Sequence, residues 1–251
     1  TVIGARDFLV AYNINLNTTS TRRANAIAFD LRESGRSTKN PDGTTTTQPG
    51  LLKSVKGIGW YIEEYGIAQV SLNLTNIRDT PVHVAFDTAV KAADARGIRV
   101  TGSELVGLVP LNALLDAGRY FLEKQQRSVG VSEAELVKIA VRSLGLDELA
   151  PFDPQERVIE YKLRQNDTAA TRLVSMSLTA LADETASESP APGGGSIAAA
   201  VGALGAALGT MVANMSAHKR GWDDRWAFFS DHAAHGQRRK DALLALVDAD
   251  T

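Results

Sequence analysis

The run PAPGGGSIAAAVGALGAALGTMVANM, from Pro190 to Met215, constrains the fold more than any other stretch of the chain. Three glycines follow a proline, and no charged residue occurs from there to Met215. Three structures could use such a run: a phosphate-binding loop, a membrane anchor, or a helix packed closely against other helices. Each makes different demands on the sequence, so the three can be compared.

A phosphate loop needs G-x-x-x-x-G-K-[ST] after a strand, but no lysine follows these glycines and the preceding segment has a helical pattern. A membrane span needs about twenty strongly hydrophobic residues, whereas this run consists mostly of alanine and glycine, which partition weakly into lipid. Gly205 and Gly209 do have the small-xxx-small spacing of membrane helices. The phosphate loop is therefore excluded, we expect no membrane partner, and the anchor remains an alternative.

A closely packed helix fits the pattern better. Gly202, Ala206, Gly209 and Ala213 recur at helical spacing, so their small side chains share one face. A glycine inside a helix costs about 0.5–1 kcal/mol relative to alanine, and several of them predict close packing in return. We therefore expect a central helix of a helical domain or of an oligomer interface.

The start of this helix is a candidate binding site. The GGGS segment leaves backbone N–H groups free at a helix N-terminus, where a carboxylate or phosphate can bind. The candidate substrate-binding residues are Gly193, Gly194, Gly195 and Ser196. The alternative, that these glycines only turn the chain, stays open.

Composition limits the classes of function. The 251 residues are 44% hydrophobic and 22% charged, as in ordinary soluble proteins. A formal net charge of −2 offers no general basic field, so we expect no nucleic-acid partner. The chain has no cysteine, which fits a cytoplasmic location. Arg6 and Asp7 interrupt the first apolar run, which is therefore no signal peptide. The chain begins at Thr1 rather than Met and ends on LVDADT, which suggests a piece of a longer protein.

The first part of the chain predicts an α+β unit. Its pattern reads strand, helix, strand, strand, helix, strand, the split β-α-β order of a ferredoxin-like antiparallel sheet with helices on one face. The expected strands are 7–16, 51–66, 67–75 and 98–109, with helices at 19–35 and 80–97. Residues 37–50 are polar and rich in Gly and Pro, which predicts an exposed loop. Thr80 is the expected cap of the second helix, with Pro81 at its first position.

The remainder predicts helices. Two follow the sheet, and the second begins with a capping box of Ser132 and Glu135. Beyond residue 174 the pattern is helical throughout, typical of the opening of an all-α domain. The expected domains are 1–163 for the α+β unit, 164–173 for a linker, and 174–251 for the helical part.

Both halves resemble known proteins. GARDFLVAYNINL, GLLKSVKGIGWYIEE, AQVSLNL, GSELVGLVPLNALLDA and SLGLDELAPFDPQERVIEY resemble the C-terminal subdomain of glutamate formiminotransferases. APGGGSIAAAVGALGAALGTMVANM and LVDADT resemble the beginning of formiminotetrahydrofolate cyclodeaminases. The order is that of the bifunctional formiminotransferase-cyclodeaminase family, and the resemblance covers nearly the whole chain.

The resemblance implies two folate reactions of histidine degradation. The transferase moves the formimino group of N-formiminoglutamate to N5 of polyglutamylated tetrahydrofolate. The cyclodeaminase then closes the ring onto N10, which gives 5,10-methenyltetrahydrofolate and ammonia. The family's folate cleft lies between two ferredoxin-like subdomains, and its catalytic histidine lies on the subdomain that this chain lacks. His83 matches no catalytic position and is expected to be structural.

The family's cyclodeaminase aspartate is the second acid of a D-x-D pair at a helix end. Here the pair is Asp248 and Asp250, so the resemblance assigns catalysis to Asp250. A carboxylate suits ring closure, which removes a proton from N10 and delivers one to the departing amine. Without the resemblance, a solvated helix end would be the favoured interpretation.

Other site residues are predicted from their neighbourhood. Arg6 lies near a subdomain junction, and Lys56 and Glu104 lie beside glycine-marked strand segments, so we predict that they bind substrate; each could equally be a surface charge. His232 and His235 share a helix face, but a zinc site would need further ligands, and we expect no metal. Basic residues at 219–220 and 238–240 could meet folate polyglutamate carboxylates.

Two other functional classes remain open, and the chain alone is expected to catalyse neither reaction. One is a stand-alone cyclodeaminase or cyclohydrolase-type enzyme with a folate-binding appendage. The other is a non-catalytic helical oligomerisation module. The resemblance also implies a homo-oligomer assembled through the cyclodeaminase helices, and an apolar face of the glycine-led helix left without partners would promote association.

Overall fold

A computed structural model describes residues 3–4, 7–166 and 172–249. The chain divides into two compact units. The first comprises the chain up to Phe121 together with Val137–Arg164, and the second comprises Leu122–Leu136 together with the chain from Gln165 onward.

The elements follow in chain order. The strands are β1 (Val10–Leu16), β2 (Arg36–Lys39), β3 (Thr45–Gln48), β4 (Val55–Ile62), β5 (Ile67–Leu74) and β6 (Val100–Val106). The helices are α1 (Thr21–Leu31), α2 (Val82–Asp94), α3 (Leu111–Lys124), α4 (Glu133–Leu144), α5 (Pro154–Arg157), α6 (Ile159–Asn166), α7 (Leu178–Thr185), α8 (Gly194–Ala217) and α9 (Trp226–Ala249). Short 3-10 turns lie at Leu173–Ser175 and Asp223–Arg225.

An antiparallel sheet organises the first unit. Its spatial order is β4-β5-β1-β6, and every neighbouring pair is antiparallel. Alternate side chains of β1 and β5 point into a core shared with α1 and α2, because side chains of a strand alternate between its two faces. The buried members on β1 and β5 are Val10, Tyr12, Ile14, Leu16, Ala68, Val70, Leu72 and Leu74. The mixed α/β class with an antiparallel sheet is thus confirmed.

A glycine lets α1 approach the edge strand β4. A Cβ added at Gly59 would lie 2.1 Å from the backbone nitrogen of Asn25. The Asn25 side chain instead accepts a hydrogen bond from the Gly59 N–H at 2.9 Å and donates one to the Gly59 carbonyl at 3.1 Å. The edge strand is therefore held against α1 by its backbone, and its other face stays uncovered by this helix.

The loop predicted at 37–50 was wrong, since β2 and β3 form a hairpin there. Threonines occupy three of the four β3 positions, and their β-branched side chains favour extended backbone even where the composition is polar. The Asn40 side chain donates to Thr44 and Thr46, which holds the turn together.

The predicted cap of α2 was also wrong. The helix begins at Val82 after Pro81, with no side-chain cap. The Thr80 hydroxyl donates instead to the Lys53 carbonyl at 2.6 Å, so it joins α2 to the segment before β4. At α4 the predicted N-cap is confirmed, because the Ser132 hydroxyl accepts the Glu135 N–H at 3.3 Å.

Helices α8 and α9 of the second unit pack antiparallel. The start of α8 shares a cavity with the end of α9, and the end of α8 shares one with the start of α9. A Cβ added at Gly236 of α9 would lie 2.3 Å from the Thr210 hydroxyl, so this glycine allows the close contact. The buried stripe of α8 consists of small residues: Ser196, Ala199, Ala203, Thr210, Ala213 and Ala217.

The predicted small-residue face of α8 was therefore displaced from the buried one. Ala213 is buried, but Gly209 is exposed, and a Cβ added at Gly205 or Gly209 would meet no atom within 4 Å. The buried residues Ala203 and Thr210 each follow a glycine of α8 by one position, and the glycine at the closest contact between the helices belongs to α9.

Among the described helices α8 is long and apolar enough to cross a membrane by length and composition, a property that core helices of soluble proteins share.

Candidate functional site

The sheet of the first unit has a second face that is largely polar. Strand pairing places its residues in three rows across the sheet. Lys56 lies beside Asn73, Asn13 lies between Ser71 and Glu104, and Gln69 lies beside Asn15. Asn13, Asn15 and Gln69 are buried, with at most 5% of their surface exposed. We call this the polar sheet face, and we define it by Asn13, Asn15, Lys56, Trp60, Gln69, Ser71, Asn73 and Glu104.

A chain of hydrogen bonds runs across this face. The Trp60 indole N–H donates to Gln69 at 3.1 Å, and the Gln69 amide donates to Asn15 at 2.8 Å. The Asn15 amide in turn donates to the Glu148 carboxylate, which follows α4. These buried polar groups are thus paired with one another, as buried amides require.

The structure places two of the predicted substrate-binding residues on this face. Lys56 lies on β4 and is exposed, while Glu104 lies on β6 and accepts a hydrogen bond from the Asn13 amide at 3.2 Å. The two are separated by β5 and β1, or roughly 14 Å at ordinary strand spacing. A ligand that contacts both must span the sheet. The third, Arg6, lies outside the described residues.

Glu104 also affects its surroundings electrically. Its negative charge raises the pKa of the Tyr65 hydroxyl above the ordinary value. The face thus offers a carboxylate acceptor in Glu104, an exposed amide in Asn73, and a cation, Lys56, on its edge strand. Such a surface suits a flat, polar heterocycle that carries carboxylates.

In the second unit, the structure brings the glycine-led segment to the end of α9. Helix α8 begins at Gly194 with Gly193 as its cap, and no side chain caps it. A cavity of about 400 Å³ is lined by Gly195 from this start and Ala249 from the last position of α9. Asp250, the predicted catalytic residue, follows Ala249 directly but lies outside the described residues. Asp248 accepts a hydrogen bond from the Val174 N–H at 3.2 Å.

Ser196 lies in the first turn of the same helix. It is fully buried, and its hydroxyl has no hydrogen-bond partner among the described residues. An unpaired buried hydroxyl is costly, so a polar group is expected to meet it when the site is complete.

A second groove between α8 and α9 has a volume of about 630 Å³, and both predicted face-sharing histidines line it. Each histidine binds the carbonyl four residues earlier through Nδ1, His232 to Phe228 and His235 to Asp231. In the described part of the chain, no group of three or more potential ligands is arranged to hold a metal ion.

His83 is mostly buried in the first turn of α2. Its ring stacks on Tyr120 with centroids 4.6 Å apart, and its Nδ1 has no partner among the described residues. Burial lowers the pKa of His83, although Asp116 and Asp87 act in the opposite direction. A hydrogen bond to Asp87 raises the pKa of Tyr120 to about 12.

Sequence reasoning missed Asn13, Asn15, Gln69 and Trp60. For the two asparagines a signal was available, because NIN within VAYNINL places amides at every second position of an otherwise apolar strand. That period of two predicts a polar sheet face. Nothing in the sequence marks Glu148 as the end of the network, since it comes from a distant segment.

Two family models match the chain. The model described as formiminotransferase domain matches residues 11–164, and the one described as formiminotransferase-cyclodeaminase matches residues 177–251. The chain therefore belongs to the formiminotransferase-cyclodeaminase family, which confirms the resemblance noted in its motifs.

Individual relatives agree. The formimidoyltransferase-cyclodeaminase of Rattus norvegicus is 46% identical over 255 residues, covering 100% of this chain and 44% of the rat protein. That of Gallus gallus is 44% identical over 251 residues, with the same coverage. The glutamate formimidoyltransferase of Thermoplasma acidophilum is 37% identical over 122 residues, covering 49% of this chain and 36% of that enzyme. The chain thus spans less than half the length of these relatives.

Proposed function

We propose that the chain is part of a bifunctional folate enzyme of histidine degradation. Its reactions are transfer of the formimino group from N-formiminoglutamate to tetrahydrofolate, and cyclisation of the product to 5,10-methenyltetrahydrofolate with release of ammonia. The carrying observation is the polar sheet face in a unit that matches formiminotransferases. Two relatives named formimidoyltransferase-cyclodeaminase align with the whole chain, which supports both activities for the parent enzyme.

Residues 1–163 form a ferredoxin-like subdomain. With the hairpin set aside, its strands lie in the spatial order 4-1-3-2 by chain position, which fits the split β-α-β arrangement. The polar sheet face forms one wall of the folate cleft. Lys56 attracts a carboxylate of the folate tail, while Glu104 and the exposed Asn73 amide hydrogen-bond the pterin. Arg6 contributes from the segment before β1.

Residues 174–251, after a linker at 164–173, begin an all-α cyclodeaminase domain. Asp250 acts as general acid–base at the end of α9. During ring closure a bond forms between N10 and the formimino carbon, N10 loses its proton, and the carbon–nitrogen bond to the departing amine breaks as that nitrogen gains a proton. Gly193, Gly194, Gly195 and Ser196 offer N–H and hydroxyl groups that bind a carboxylate of the substrate. No metal takes part.

The co-substrate is polyglutamylated tetrahydrofolate, whose carboxylates meet basic residues of α9. The enzyme is cytoplasmic and contacts neither nucleic acid nor membrane. It is a homo-oligomer assembled through the cyclodeaminase helices, and the exposed apolar side chains of α8 form part of that contact. Their exposed fractions are between 50% and 68%: Val201, Leu204, Leu208, Met211, Val212 and Met215.

Calorimetric titration with tetrahydrofolate pentaglutamate, under reducing conditions, tests the transferase half. Lys56→Ala should weaken binding about threefold to tenfold, because it removes an exposed cation next to the ligand's carboxylates. Lys39→Ala, an equally exposed lysine of the hairpin, is the matched control and should leave affinity unchanged. Equal affinity for both variants would refute the role of Lys56.

Asp250→Asn in the full-length parent enzyme tests the cyclodeaminase half. The substitution should abolish ammonia release while leaving formimino transfer intact, since the transferase residues lie elsewhere. Asp248→Asn serves as the neighbouring control, with activity expected to persist. An Asp250→Asn enzyme that still cyclises would instead favour the oligomerisation-module alternative.

A further inference from the structure

Trp60 is the one large aromatic side chain that the described strands place on the polar sheet face. Its side chain is 38% exposed. No other aromatic ring and no cation of the described residues stacks on the indole. Ile58, two residues earlier on the same strand and therefore on the same face, is 53% exposed. An uncovered indole beside an exposed aliphatic side chain is a surface on which a flat ring can lie.

The N–H of this indole forms its hydrogen bond within the protein and not with a ligand. Its N–H donates to Gln69, which is 1% exposed, and Gln69 donates to Asn15, which is fully buried. The series ends at the Glu148 carboxylate. Three side chains from three different segments thus fix the position of one partly exposed ring.

The direction of these hydrogen bonds is forced by the two end groups. An indole N–H can only donate, and an ionised carboxylate can only accept. Gln69 must therefore turn its carbonyl oxygen to Trp60, and Asn15 must turn its amide nitrogen to Glu148. A flipped amide at either position would place two donors or two acceptors against each other, so each amide has a single orientation.

We propose that Trp60 is a stacking residue for the heteroaromatic ring of the ligand, and that Glu148, Asn15 and Gln69 are positioning residues that hold its indole. The inference rests on the proposed folate function and deepens it, because it names the residue that binds the pterin ring. A ring so held loses little conformational freedom when a ligand stacks on it, which favours affinity.

The test is a titration of the 251-residue chain with tetrahydrofolate pentaglutamate, using calorimetry and the indole N–H resonances in 15N NMR spectra. Trp60→Leu should weaken binding about tenfold, the usual size for loss of a ring-stacking contact. Trp60→Phe keeps a ring and should lose less. Tyr61→Leu is the matched control: it changes an exposed aromatic residue of the same strand that points to the opposite face, and affinity should not change.

Gln69→Met tests the positioning role at nearly constant volume. The Trp60 indole N–H should shift and exchange faster with solvent, while Trp222 and Trp226 act as internal references. Folate affinity should fall severalfold, and Gln48→Met, at an exposed hairpin position, should change neither quantity.

Three results would overturn the inference, and they are distinguishable. If the unaltered chain binds folate and Trp60→Leu binds equally well, the stacking role is wrong while the folate proposal stands. If Gln69→Met changes the indole resonance but not the affinity, the positioning role is wrong. If the unaltered chain shows no binding, the proposed folate wall fails, and the stacking role fails with it.

Discussion

At the scale of single residues, Ser103 joins three elements through one hydroxyl. It accepts a hydrogen bond from the buried Tyr12 hydroxyl at 2.8 Å and donates one to the Leu144 carbonyl at 2.6 Å. Burial raises the pKa of Tyr12 far above its ordinary value, which favours the protonated phenol that donates to Ser103. The hydroxyl of Ser103 therefore links β1, β6 and the end of α4 inside the core.

Ser103→Ala should lower the free energy of unfolding by about 1–3 kcal/mol, because it leaves two buried polar groups unpaired. Ser37→Ala in the exposed hairpin should change it by less than about 0.5 kcal/mol. Urea denaturation of both variants measures the difference. Equal stabilities would mean that water replaces the lost hydroxyl.

His83 should make stability depend on pH. Its pKa is lowered in the folded protein, so the unfolded chain binds the proton more tightly. The contribution is therefore full above about pH 6.5, the ordinary histidine value, and is lost as pH falls through the lowered pKa. Denaturation at pH 7.5 and 5.5 should show a smaller pH difference for His83→Phe, which keeps a ring against Tyr120. His232→Phe is the exposed control, and an unchanged pH difference in His83→Phe would contradict this account.

At the scale of elements, the contact between α8 and α9 depends on Gly236. Gly236→Ala should destabilise the second unit by about 1–3 kcal/mol, since its Cβ would meet the Thr210 hydroxyl at 2.3 Å. Thr210→Ala in the same chain should restore most of the loss, because the nearest remaining Thr210 atom lies 3.3 Å away. Thermal unfolding of the single and double variants measures this coupling. If the double variant instead loses the sum of the two single losses in stability, the Gly236→Ala effect does not come from a clash with Thr210.

Sequence reasoning succeeded best in locating individual helices and strands. Periodicity identified β1, α1, β5 and α2 because each has one apolar face. It failed for the hairpin, where no side chain is buried and only the β preference of threonine indicates strands. It misplaced the packed face of α8 because that face depends on a glycine of α9, about 30 residues away in the chain. The hydrogen bond from Asn15 to Glu148 was equally beyond reach, since Glu148 comes from a distant segment of the chain.

At the scale of the whole molecule, the exposed apolar side chains of α8 should promote self-association. Sedimentation velocity should show concentration-dependent oligomers of the chain. Leu204→Glu combined with Leu208→Glu should shift it to monomers, because two charges would have to be desolvated in the contact. Leu163→Glu, an exposed leucine of the first unit, is the control. Oligomers that persist in the double variant would place the contact elsewhere.

The polar sheet face of the first unit is the proposed folate-binding surface on which the transferase role depends. The most direct test is a methyl NMR titration with tetrahydrofolate pentaglutamate, which observes the isoleucine δ1 methyl groups. The Ile58 methyl lies on the polar sheet face and should shift on binding, whereas that of Ile27, buried on α1 behind the opposite face, should stay in place. Saturable binding that leaves Ile58 unmoved would show that folate binds elsewhere on the chain, and the polar sheet face would then have no part in the transferase site.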